Sequence, residues 1–578
     1  MIQPAGMTLW GAFVHRSFSG IRLFGLGLLL VVWSLAHLPA HAATLGEDCL
    51  AIVATNDLHG AIEAHTREVG EVALEHGGLL ATSGYLRILR DKLGQQMLLL
   101  DAGDLYQGTL VSNLSEGKAI IAAYNALGYD ATAVGNHEFD FGPGDNGPAN
   151  DRLAVLKARM RQADFPFLAA NIHELKSGAP VQWPNHRGWI LKTVGGIRVG
   201  IIGVATPRTK EVTRLKNVRN LEFRPMAPVV KKAAETLRAK GAQLVVLLGH
   251  IGGHCEDVSN PRDLSSCTTD SELRTLLEQL PKGTVDAAVG GHTHQLMAHW
   301  INGAPAVESG ARGRYIGRID VCLQNDGTGL DPQRSRVHAP TRVCLDAWQD
   351  GSCGPRERPT KLERARFMGQ AVTPDPKLKK LLAPYLEAVA KEKARRLGVH
   401  LPNGLSRAAA KRSKRVGHLV ARGMRKLGKA DVAVQNLGGV RADLPQGRTT
   451  FGDIFKVLPF DNLVTVAKLT GKQLTQFVAH LAGHRGGDPP YLAGARALRR
   501  HGKLTLKLAD GSRVHPKKVY TVATNDFLTG GGEGLGFIFD ALPKSHLRSL
   551  DANLRDALIA YLQEHFPATQ GSAARKRD

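Results

Sequence analysis

The sequence predicts an α/β protein built from two domains, and three observations lead to that prediction. The chain has 578 residues, which is too long for a single hydrophobic core. Within residues 43–345, short apolar runs alternate with amphipathic segments, a pattern typical of a layered α/β domain. A second α/β stretch covers residues 376–565, and the intervening residues 346–375 are rich in proline, glycine and charge, which indicates a linker.

The first domain contains short apolar runs that we interpret as buried strands, because each has the length and composition of a strand. The amphipathic segments Asn150–Arg161 and Val229–Lys240 are predicted to be helices. The predicted strands are Leu50–Ala54, Met97–Leu100, Val199–Val204, Leu244–Leu248 and Val285–Val289.

The second domain is predicted to begin with a long helix. Asp375 is a suitable N-cap, and Pro376 would take the first helical position. Apolar residues then recur at helical spacing, Pro384 is expected to kink the helix, and Gly398 is expected to end it. Residues 566–578 are mostly small, polar or charged, and are predicted to form a disordered tail.

Residues 1–42 have the pattern of an export signal. Arg16 and Arg22 provide a basic flank, Leu23–Leu35 is an apolar run, and residues 40–42 form a small-x-small cleavage site. The alternative is an uncleaved membrane anchor, although the run is short for a bilayer span. After cleavage we expect no integral membrane span and a periplasmic or secreted protein.

All six cysteines lie after this segment, and an even number in an exported chain indicates disulfide bonds. Two local pairs are favoured, because Cys255 and Cys267 bracket one polar loop and Cys344 and Cys353 bracket another. Six cysteines allow many other pairings, and free buried thiols are the alternative. No CxxC pair occurs, which argues against a cysteine zinc site.

The formal net charge is +23. It indicates either a basic surface that is simply solvated or one that attracts anions, such as anionic substrates or an anionic cell envelope. The hydrophobic content of 43% is that of an ordinary globular protein rather than a disordered one. The motifs of the usual DNA- and RNA-binding modules are not found, so we expect no specific nucleic-acid partner. The sequence gives no indication of the oligomeric state.

Residues of the types that bind metals follow five short apolar runs, namely four of the strands named above, all except Val199–Val204, and the further run Ala131–Val134. Ligands of open α/β sheets lie beyond the carboxyl ends of the strands, so these side chains are expected to meet at one edge. Two motifs place ligands two residues apart, and in an extended chain both side chains would point to the same side. The mixed donor set suits divalent ions of zinc, manganese, iron or cobalt, and magnesium stays open. The candidate metal ligands are Asp57, His59, Asp104, Asn136, His250, His292 and His294.

In order and spacing, these motifs resemble the signature blocks of calcineurin-like metallophosphoesterases. The resemblance implies a four-layer α-β-β-α domain with two divalent metal ions. It also implies that Asp104 bridges the two ions. One ion would then be held by Asp57, His59, Asp104 and His294, and the other by Asp104, Asn136, His250 and His292.

Two metal ions would activate a bound water for in-line attack on phosphorus and neutralise the phosphoryl oxygens. His137 is a candidate for stabilising the transition state or protonating the leaving group, and Asp140 would orient its imidazole. The alternative is that His137 is another ligand or supports one. His254 would line the cleft or lie in a loop, and His65 and His76 have no motif support.

Three motifs of the second domain resemble those of 5′-nucleotidases, so the resemblance covers nearly all of the mature chain. They are Gln435–Arg441, Leu458–Asn462, and Thr524–Leu528 followed by Gly530–Gly534.

The residue types in these motifs suit a nucleotide. Phe460 and Phe527 would sandwich a base, and such stacking would tolerate different bases. The alternative is that both are ordinary core aromatics. Arg441 would form a forked contact with a phosphate. Asn436 would bind the base or position the phosphate, and Glu533 would accept hydrogen bonds from the ribose hydroxyls.

Two departures from the 5′-nucleotidase pattern bear on substrate specificity. Position 533 is Glu where the family usually has Asp, so the longer side chain alters the expected ribose geometry. The turn that opens the family's second domain is replaced here by the basic residues 411–418, in which Arg412 is the candidate for the family's phosphate-site arginine. These changes leave the phosphatase chemistry in place but argue against a strict specificity for nucleoside monophosphates.

The sequence therefore predicts an exported, metal-dependent phosphohydrolase that releases phosphate from nucleoside 5′-monophosphates and other small nucleotides. One alternative keeps the fold but changes the substrate to 2′,3′-cyclic nucleotides, nucleotide-sugar or dinucleotide pyrophosphates, or thiosulfate esters. The paired phenylalanines favour a nucleoside over thiosulfate. A second alternative is a non-catalytic nucleotide-binding envelope protein, for which broken metal motifs would be expected.

Overall fold

The computed structural model describes residues 45–69, 72–144, 147–148, 150–354, 361–407, 415–483, 488–500 and 503–568. The predicted export segment 1–42, the candidate Arg412 and residues 569–578 of the predicted tail lie outside this described part. None of the described helices combines the length and the apolar character needed to cross a membrane.

The strands up to residue 371 alternate with helices, as the sequence predicts. The helices are α1 (Leu79–Leu93), α2 (Leu110–Leu114), α3 (Lys118–Leu127), α4 (Ala154–Gln162), α5 (Thr209–Val212), α6 (Leu215–Val218), α7 (Met226–Ala239) and α8 (Glu272–Gln279). The strands are β1 (Cys49–Thr55), β2 (His65–Val69), β3 (Val72–His76), β4 (Met97–Asp101), β5 (Ala131–Ala133), β6 (Phe167–Leu168), β7 (Ile172–Glu174), β8 (His186–Arg187), β9 (Trp189–Val194), β10 (Ile197–Ala205), β11 (Leu221–Phe223), β12 (Leu244–His250), β13 (Ala287–Val289), β14 (Leu296–Ile301), β15 (Ala304–Ser309), β16 (Tyr315–Cys322), β17 (Arg336–Arg342), β18 (Asp346–Trp348), β19 (Leu362–Arg364), β20 (Arg366–Phe367) and β21 (Gln370–Ala371).

Two mixed sheets form the centre of the first domain. One has the order β17-β16-β1-β4-β5-β6-β8, and the other has the order β14-β15-β13-β12-β10-β9. The inner neighbours β1, β4, β5 and β6 are parallel, as are β10, β12, β13 and β15. The antiparallel strands lie at the margins of both sheets.

The alternation of side chains along β1 shows how the layers are built. Leu50 and Ile52 point into the core between the two sheets, whereas Ala51 and Val53 point toward the helices. On the far side of the second sheet, α7 and α8 pack on the outward-facing residues of β10 and β12. The result is the predicted α-β-β-α arrangement, and it explains why the strands are continuous apolar runs rather than alternating ones.

The predicted strands are confirmed with small changes at their ends, but the two predicted helices are shifted. Helix α4 starts at Ala154 rather than Asn150, and α7 starts at Met226 rather than Val229. In α7 the residue before the helix is Pro225, whose extended ψ of 134° sets the start of the helix.

The second part of the chain adds a smaller α/β unit. Its helices are α9 (Pro376–Ala394), α10 (Val416–Gly428), α11 (Phe451–Val457), α12 (Gly471–Gly483), α13 (Asp526–Thr529), α14 (Gly536–Phe539) and α15 (Leu554–His565). Its strands are β22 (Arg396–Leu401), β23 (Val432–Gln435), β24 (Gly447–Thr450), β25 (Leu463–Thr470), β26 (Tyr491–Ala493), β27 (Ala495–Arg500), β28 (Lys503–Leu508), β29 (Val519–Asn525) and β30 (Leu547–Asn553). A central sheet has the order β26-β23-β29-β25-β30.

Helix α9 starts as predicted and ends earlier than predicted. The Asp375 carboxylate accepts hydrogen bonds from the amides of Lys377 and Leu378, and the helix continues through Pro384. The prediction that Gly398 ends the helix is wrong. Gly398 lies within β22 at φ +69°, at an irregularity in the pairing of β22 with β24, where its freedom at positive φ is needed.

The apolar stripe of α9, which the sequence assigns to the second domain, packs on the first domain, and the helix also lies against α11 of the second. Leu378, Leu382 and Val389 of this stripe are buried in the helix-side core of the first domain, where α9 lies against α2 and α3. Helix α9 therefore joins the two units.

The segment 346–375, predicted to be a linker, is ordered where it is described. It forms the strand pairs β18–β19 and β20–β21, and Trp348 is buried against Leu74 of the β2–β3 hairpin. Both predicted local disulfides, Cys255–Cys267 and Cys344–Cys353, are confirmed, and a third joins Cys49 to Cys322. The third bond lies between paired strands β1 and β16 and could not be deduced from the spacing.

Candidate metal centre and nucleoside site

The seven predicted metal ligands meet at the carboxyl ends of the inner strands. Asp57 and His59 follow β1, Asp104 follows β4 and Asn136 follows β5. In the second sheet, His250 ends β12, while His292 and His294 follow β13. Because these strands are parallel, their ends face one region between the two sheets, as the strand-end rule predicts.

One group of ligands consists of Asp57, His59 and His294. The Nε2 atoms of His59 and His294 are 2.9 Å apart, and the Asp57 Oδ1 atom lies 3.3 Å from His294 Nε2. Asp57 is fully buried, and its Oδ1 has no hydrogen-bond partner. A buried carboxylate oxygen without a donor requires a positive partner, and a metal ion fits that place.

The second group consists of Asp104, Asn136, His250 and His292. His250 Nε2 lies 3.2 Å from Asp104 Oδ2 and 3.0 Å from Asn136 Oδ1, and His292 has a ring nitrogen within 4.8 Å of the Asp104 and His250 ligand atoms. The same Asp104 oxygen is 3.9 Å from His59 Nε2 in the first group. Asp104 is therefore the residue that both groups share.

Backbone hydrogen bonds fix which imidazole nitrogen faces the centre. His59 Nδ1 is 2.8 Å from the Gln107 carbonyl, and His250 Nδ1 is 2.7 Å from the Ala102 carbonyl. A carbonyl only accepts, so Nδ1 carries the proton, and in the neutral ring Nε2 presents a lone pair to the centre. Lone pairs of imidazole, carboxylate and amide oxygen thus converge, and this donor chemistry fits divalent metal ions.

Burial and charge set the protonation of the ligands. Burial lowers the pKa of His59 and of His292 to about 4, which keeps both rings neutral and able to bind metal. Burial also acts to lower the pKa of His250, but the Asp104 carboxylate raises it to about 10. The carboxylates of the centre therefore favour a positive charge beside them.

The expectation that each closely spaced pair lies in extended chain is wrong, although both members of each pair reach the centre. Five ligands have positive φ, a conformation that costs roughly 1 kcal/mol or more for a residue with a Cβ. They are Asp57 (50°), His59 (49°), Asp104 (57°), His292 (81°) and His294 (60°). Tight left-handed turns at the strand ends, rather than strand alternation, direct these side chains.

His137 and Asp140 form a pair beside the metal ligands. His137 Nδ1 lies 2.5 Å from Asp140 Oδ2, and Thr213 donates its hydroxyl to the other Asp140 oxygen at 2.8 Å. Burial acts to lower the pKa of His137, but Asp140 and Asp104 raise it to about 9. The ring is partly accessible and lies 5.2 Å from the His59 ring, and one of its nitrogens is within 4.8 Å of the ligand atoms of His59 and Asp104.

Two buried carboxylates that hold the metal loops were not identified from the sequence. Glu138 accepts hydrogen bonds from the amides of Asp104, Leu105 and Gly135, which joins the loops after β4 and β5. Glu308 accepts from the Gly253 amide and the hydroxyl of Thr293 in the last metal loop. Glu138 stands in a recognised motif, but its role depends on contacts made only in the folded chain.

The candidate nucleoside residues of the second unit lie around the end of β29. Asn436 donates to Glu533 Oε1 at 2.7 Å and accepts from Asn525 at 3.2 Å. Arg441 is exposed. Glu533 has a positive φ of 54°, so the turn that carries it is strained.

Phe460 and Phe527 are both about half exposed, at 44% and 48%, so neither is an ordinary core aromatic. Asp526 joins the turns that carry them, because its carboxylate accepts from the Asn462 side chain and from the Leu463 amide at 3.0 Å each. Arg555 donates to the Phe460 carbonyl at 2.9 Å. The hydrogen bonds of Asp526 and Arg555 thus fix the turns that carry the two half-exposed aromatic rings.

Two family models match the chain. Residues 50–296 match the calcineurin-like phosphoesterase model, which together with the strand-end donor set makes the chain a metal-dependent phosphoester hydrolase. Residues 393–543 match the 5′-nucleotidase C-terminal domain, and the two models together cover more than half of the chain. The chain belongs to the 5′-nucleotidase family, whose members act on small nucleotides.

Individual relatives agree along almost the whole chain. Protein UshA of Salmonella pullorum is 27% identical over 569 residues, which cover 93% of this chain and 95% of that protein. A 5′-nucleotidase of Vibrio vulnificus is 26% identical over 520 residues, covering 84% and 85% respectively.

Solved structures show the same fold. A 5′-nucleotidase precursor from Thermus thermophilus has 24% identity and a TM-score of 0.59, covering 89% of this chain and 96% of its own. A putative 5′-nucleotidase from Staphylococcus aureus has 18% identity and a TM-score of 0.66, covering 90% and 98%.

Proposed function

We propose that this protein is an exported phosphohydrolase that uses two divalent metal ions to release phosphate from nucleoside 5′-monophosphates. The observation that carries the proposal is the sharing of Asp104 between two groups of metal-type ligands. A shared carboxylate is the arrangement expected where two ions lie close together. The two half-exposed aromatic rings of the second unit supply the complementary surface for a base.

The metal ions would be held by one group containing Asp57, His59, Asp104 and His294 and by a second containing Asp104, Asn136, His250 and His292. When bound, such ions neutralise phosphoryl charge and lower the pKa of coordinated water. The chain itself orients the ligands through the carbonyls of Gln107 and Ala102 and through Glu138.

His137 is the proposed acid. Asp140 orients the imidazole and stabilises its positive charge, which leaves the Nε2 proton to be donated toward the phosphoryl group or the leaving oxygen. The backbone amide of His137 donates to Asp104 Oδ1 at 2.9 Å, so the acid is positioned by the shared metal ligand.

The nucleoside would be held by the second unit, taken as residues 376–565, while the metals would be held by residues of the first domain, taken as 43–345. Phe460 and Phe527 would stack on the base, Arg441 would contact the phosphate, and Asn436 with Glu533 would bind ribose or base polar groups. The hydrogen bond from Asn436 to Glu533 indicates that these two side chains act together.

Export is supported by covalent chemistry as well as by the apolar segment before residue 42. Three disulfides, including one between strands 273 residues apart, are typical of an oxidising compartment such as the periplasm or the outside of the cell.

The proposal is tested by metal analysis of the purified protein together with phosphate release from AMP. We expect two divalent ions per chain, and we expect Asp104→Asn to lose both metal binding and turnover while the fold is retained. Asp164→Asn, at an exposed position of the same domain, is the matched control and should behave as the wild type. Near-normal turnover by Asp104→Asn would contradict the proposal.

A further inference from the structure

A group of basic side chains lies beside the metal centre and takes no part in the chemistry described above. We call it the basic cluster, and its members are His65, His76, Arg312, Arg314 and Arg342. The hairpin β2–β3 pairs His65 with His76, whose rings are 5.3 Å apart, and β16–β17 pairs Tyr315 with Arg342. Arg342 Nη1 donates to the Tyr315 hydroxyl at 3.3 Å.

The cluster contains buried polar atoms without partners. His76 is only 5% exposed, and its Nδ1 has no hydrogen-bond partner. The Nε atoms of Arg314 and Arg342 are likewise buried and unpaired. Within the described part of the chain, no carboxylate lies within ion-pair distance of Arg312, Arg314 or Arg342. Unsatisfied buried donors are rare in folded proteins, and here several belong to positive groups.

The positive charges of the cluster act on one another. Burial lowers the pKa of His76 to about 4, and the neighbouring Arg342, His65 and Arg314 act in the same direction. An anion placed among these groups would remove the mutual repulsion.

The loop that carries Arg312 joins the cluster to the metal centre. The Arg312 amide donates to the carbonyl of the metal ligand Asp57 at 2.8 Å, and the Asn56 side chain donates to the Gly310 carbonyl at 2.6 Å. Arg312 also holds a positive φ of 60°, an unusual conformation for a residue with a side chain. The cluster therefore borders the metal centre of the first domain.

We propose that the basic cluster is a second anion site that binds a phosphate group other than the one being hydrolysed. Several guanidinium groups beside one buried imidazole are better suited to bind phosphate, with its tetrahedral oxygens and double charge, than to bind a carboxylate ligand. The inference rests on the proposed function for its substrate class. The phosphate has two possible sources, a second phosphoryl group of an extended nucleotide or free inorganic phosphate.

Calorimetric titration of the metal-loaded protein with inorganic phosphate tests the site independently of turnover. We expect two phosphates per chain in the wild type, one at the metals and one at the basic cluster. The double variant Arg314→Gln/Arg342→Gln should bind one. The same stoichiometry in both proteins would overturn the proposal, whereas a protein that binds two phosphates but fails to hydrolyse AMP would overturn only the proposed function.

Steady-state kinetics with AMP and ADP separate the two sources. If the site takes a second phosphoryl group, the double variant should raise KM for ADP by about tenfold relative to KM for AMP, the size expected for a lost charged hydrogen bond. If it takes free phosphate, the variant should weaken inhibition by phosphate while the ADP-to-AMP ratio stays constant. No change in either quantity would overturn the proposal.

Matched variants separate anion binding from charge and from folding. Arg499→Gln removes one positive charge at an exposed position of β27 and should leave phosphate stoichiometry unchanged. Arg314→Lys keeps the charge and should recover part of the binding. If the double variant melts at a lower temperature than the wild type, His76→Gln provides the second test, because it alters the buried imidazole without removing a guanidinium.

Discussion

Replacing Glu138 tests whether a carboxylate that touches no substrate determines metal binding. Its Oε2 accepts the amides of Asp104 and Gly135 at 2.8 and 2.7 Å, and its Oε1 accepts the Leu105 amide at 2.8 Å. In Glu138→Gln, the remaining oxygen can keep the first two bonds, whereas the new amide group faces the Leu105 amide as a second donor. One hydrogen bond is lost and the buried Leu105 amide is left without an acceptor, a change of about 1–3 kcal/mol.

The consequence should appear in metal affinity, because Glu138 joins the loops that carry Asp104 and Asn136. Residues that orient metal ligands typically change affinity by about 10- to 100-fold when mutated. Chelator competition on the purified protein measures this, with a thermal melt to confirm folding. Glu235→Gln on the exposed face of α7 is the control. A Glu138→Gln protein with wild-type metal affinity would refute the reasoning.

Three further results are expected. Phe527→Ala should raise KM for AMP by roughly 5- to 150-fold, equivalent to about 1–3 kcal/mol of stacking. The KM for p-nitrophenyl phosphate, which has no base, should stay nearly unchanged. Equal effects on both substrates would argue against stacking. Replacing Cys49 and Cys322 by serine should lower the free energy of unfolding by up to about 5 kcal/mol, because the bond between them closes a loop of 273 residues. An unchanged midpoint in denaturant unfolding would contradict this expectation. Burial raises the pKa of Asp320, but hydrogen bonds from His338 and Arg318 outweigh it and hold the pKa below the ordinary value, so Asp320→Asn should be less stable than the wild type at neutral pH. That difference should shrink as the pH falls from about 4 toward the lowered pKa of the folded state, because the stabilisation is lost when the carboxylate is protonated, and a constant difference would count against the ion pair.

The sequence predicted the strands and the convergence of the metal-type residues because both follow from local rules. A buried strand is a short apolar run, and parallel strands end at a common edge. The direction of each ligand was not predictable in this way. Asp57 and His294 reach the centre through left-handed turns, which no spacing rule for strands describes.

Long-range contacts account for the remaining differences. Glu138 acts through the amide of Asp104, and the basic cluster combines a hairpin near residue 70 with strands near residue 340. The contact of α9 with the first domain was not predictable, because periodicity reveals an apolar stripe but not the surface that covers it. Composition likewise indicated a linker at 346–375, where strand pairing and the burial of Trp348 depend on distant residues.

The disulfide between β1 and β16 has a consequence for the order in which the chain matures. If the chain is exported as proposed, Cys49 is the first cysteine to emerge, and its partner Cys322 follows only after Cys255 and Cys267. An oxidase that joins cysteines in order of appearance would therefore produce a mismatched bond, which must be exchanged before β16 can pair with β1. Production of active enzyme should therefore depend on a disulfide isomerase as well as on an oxidant.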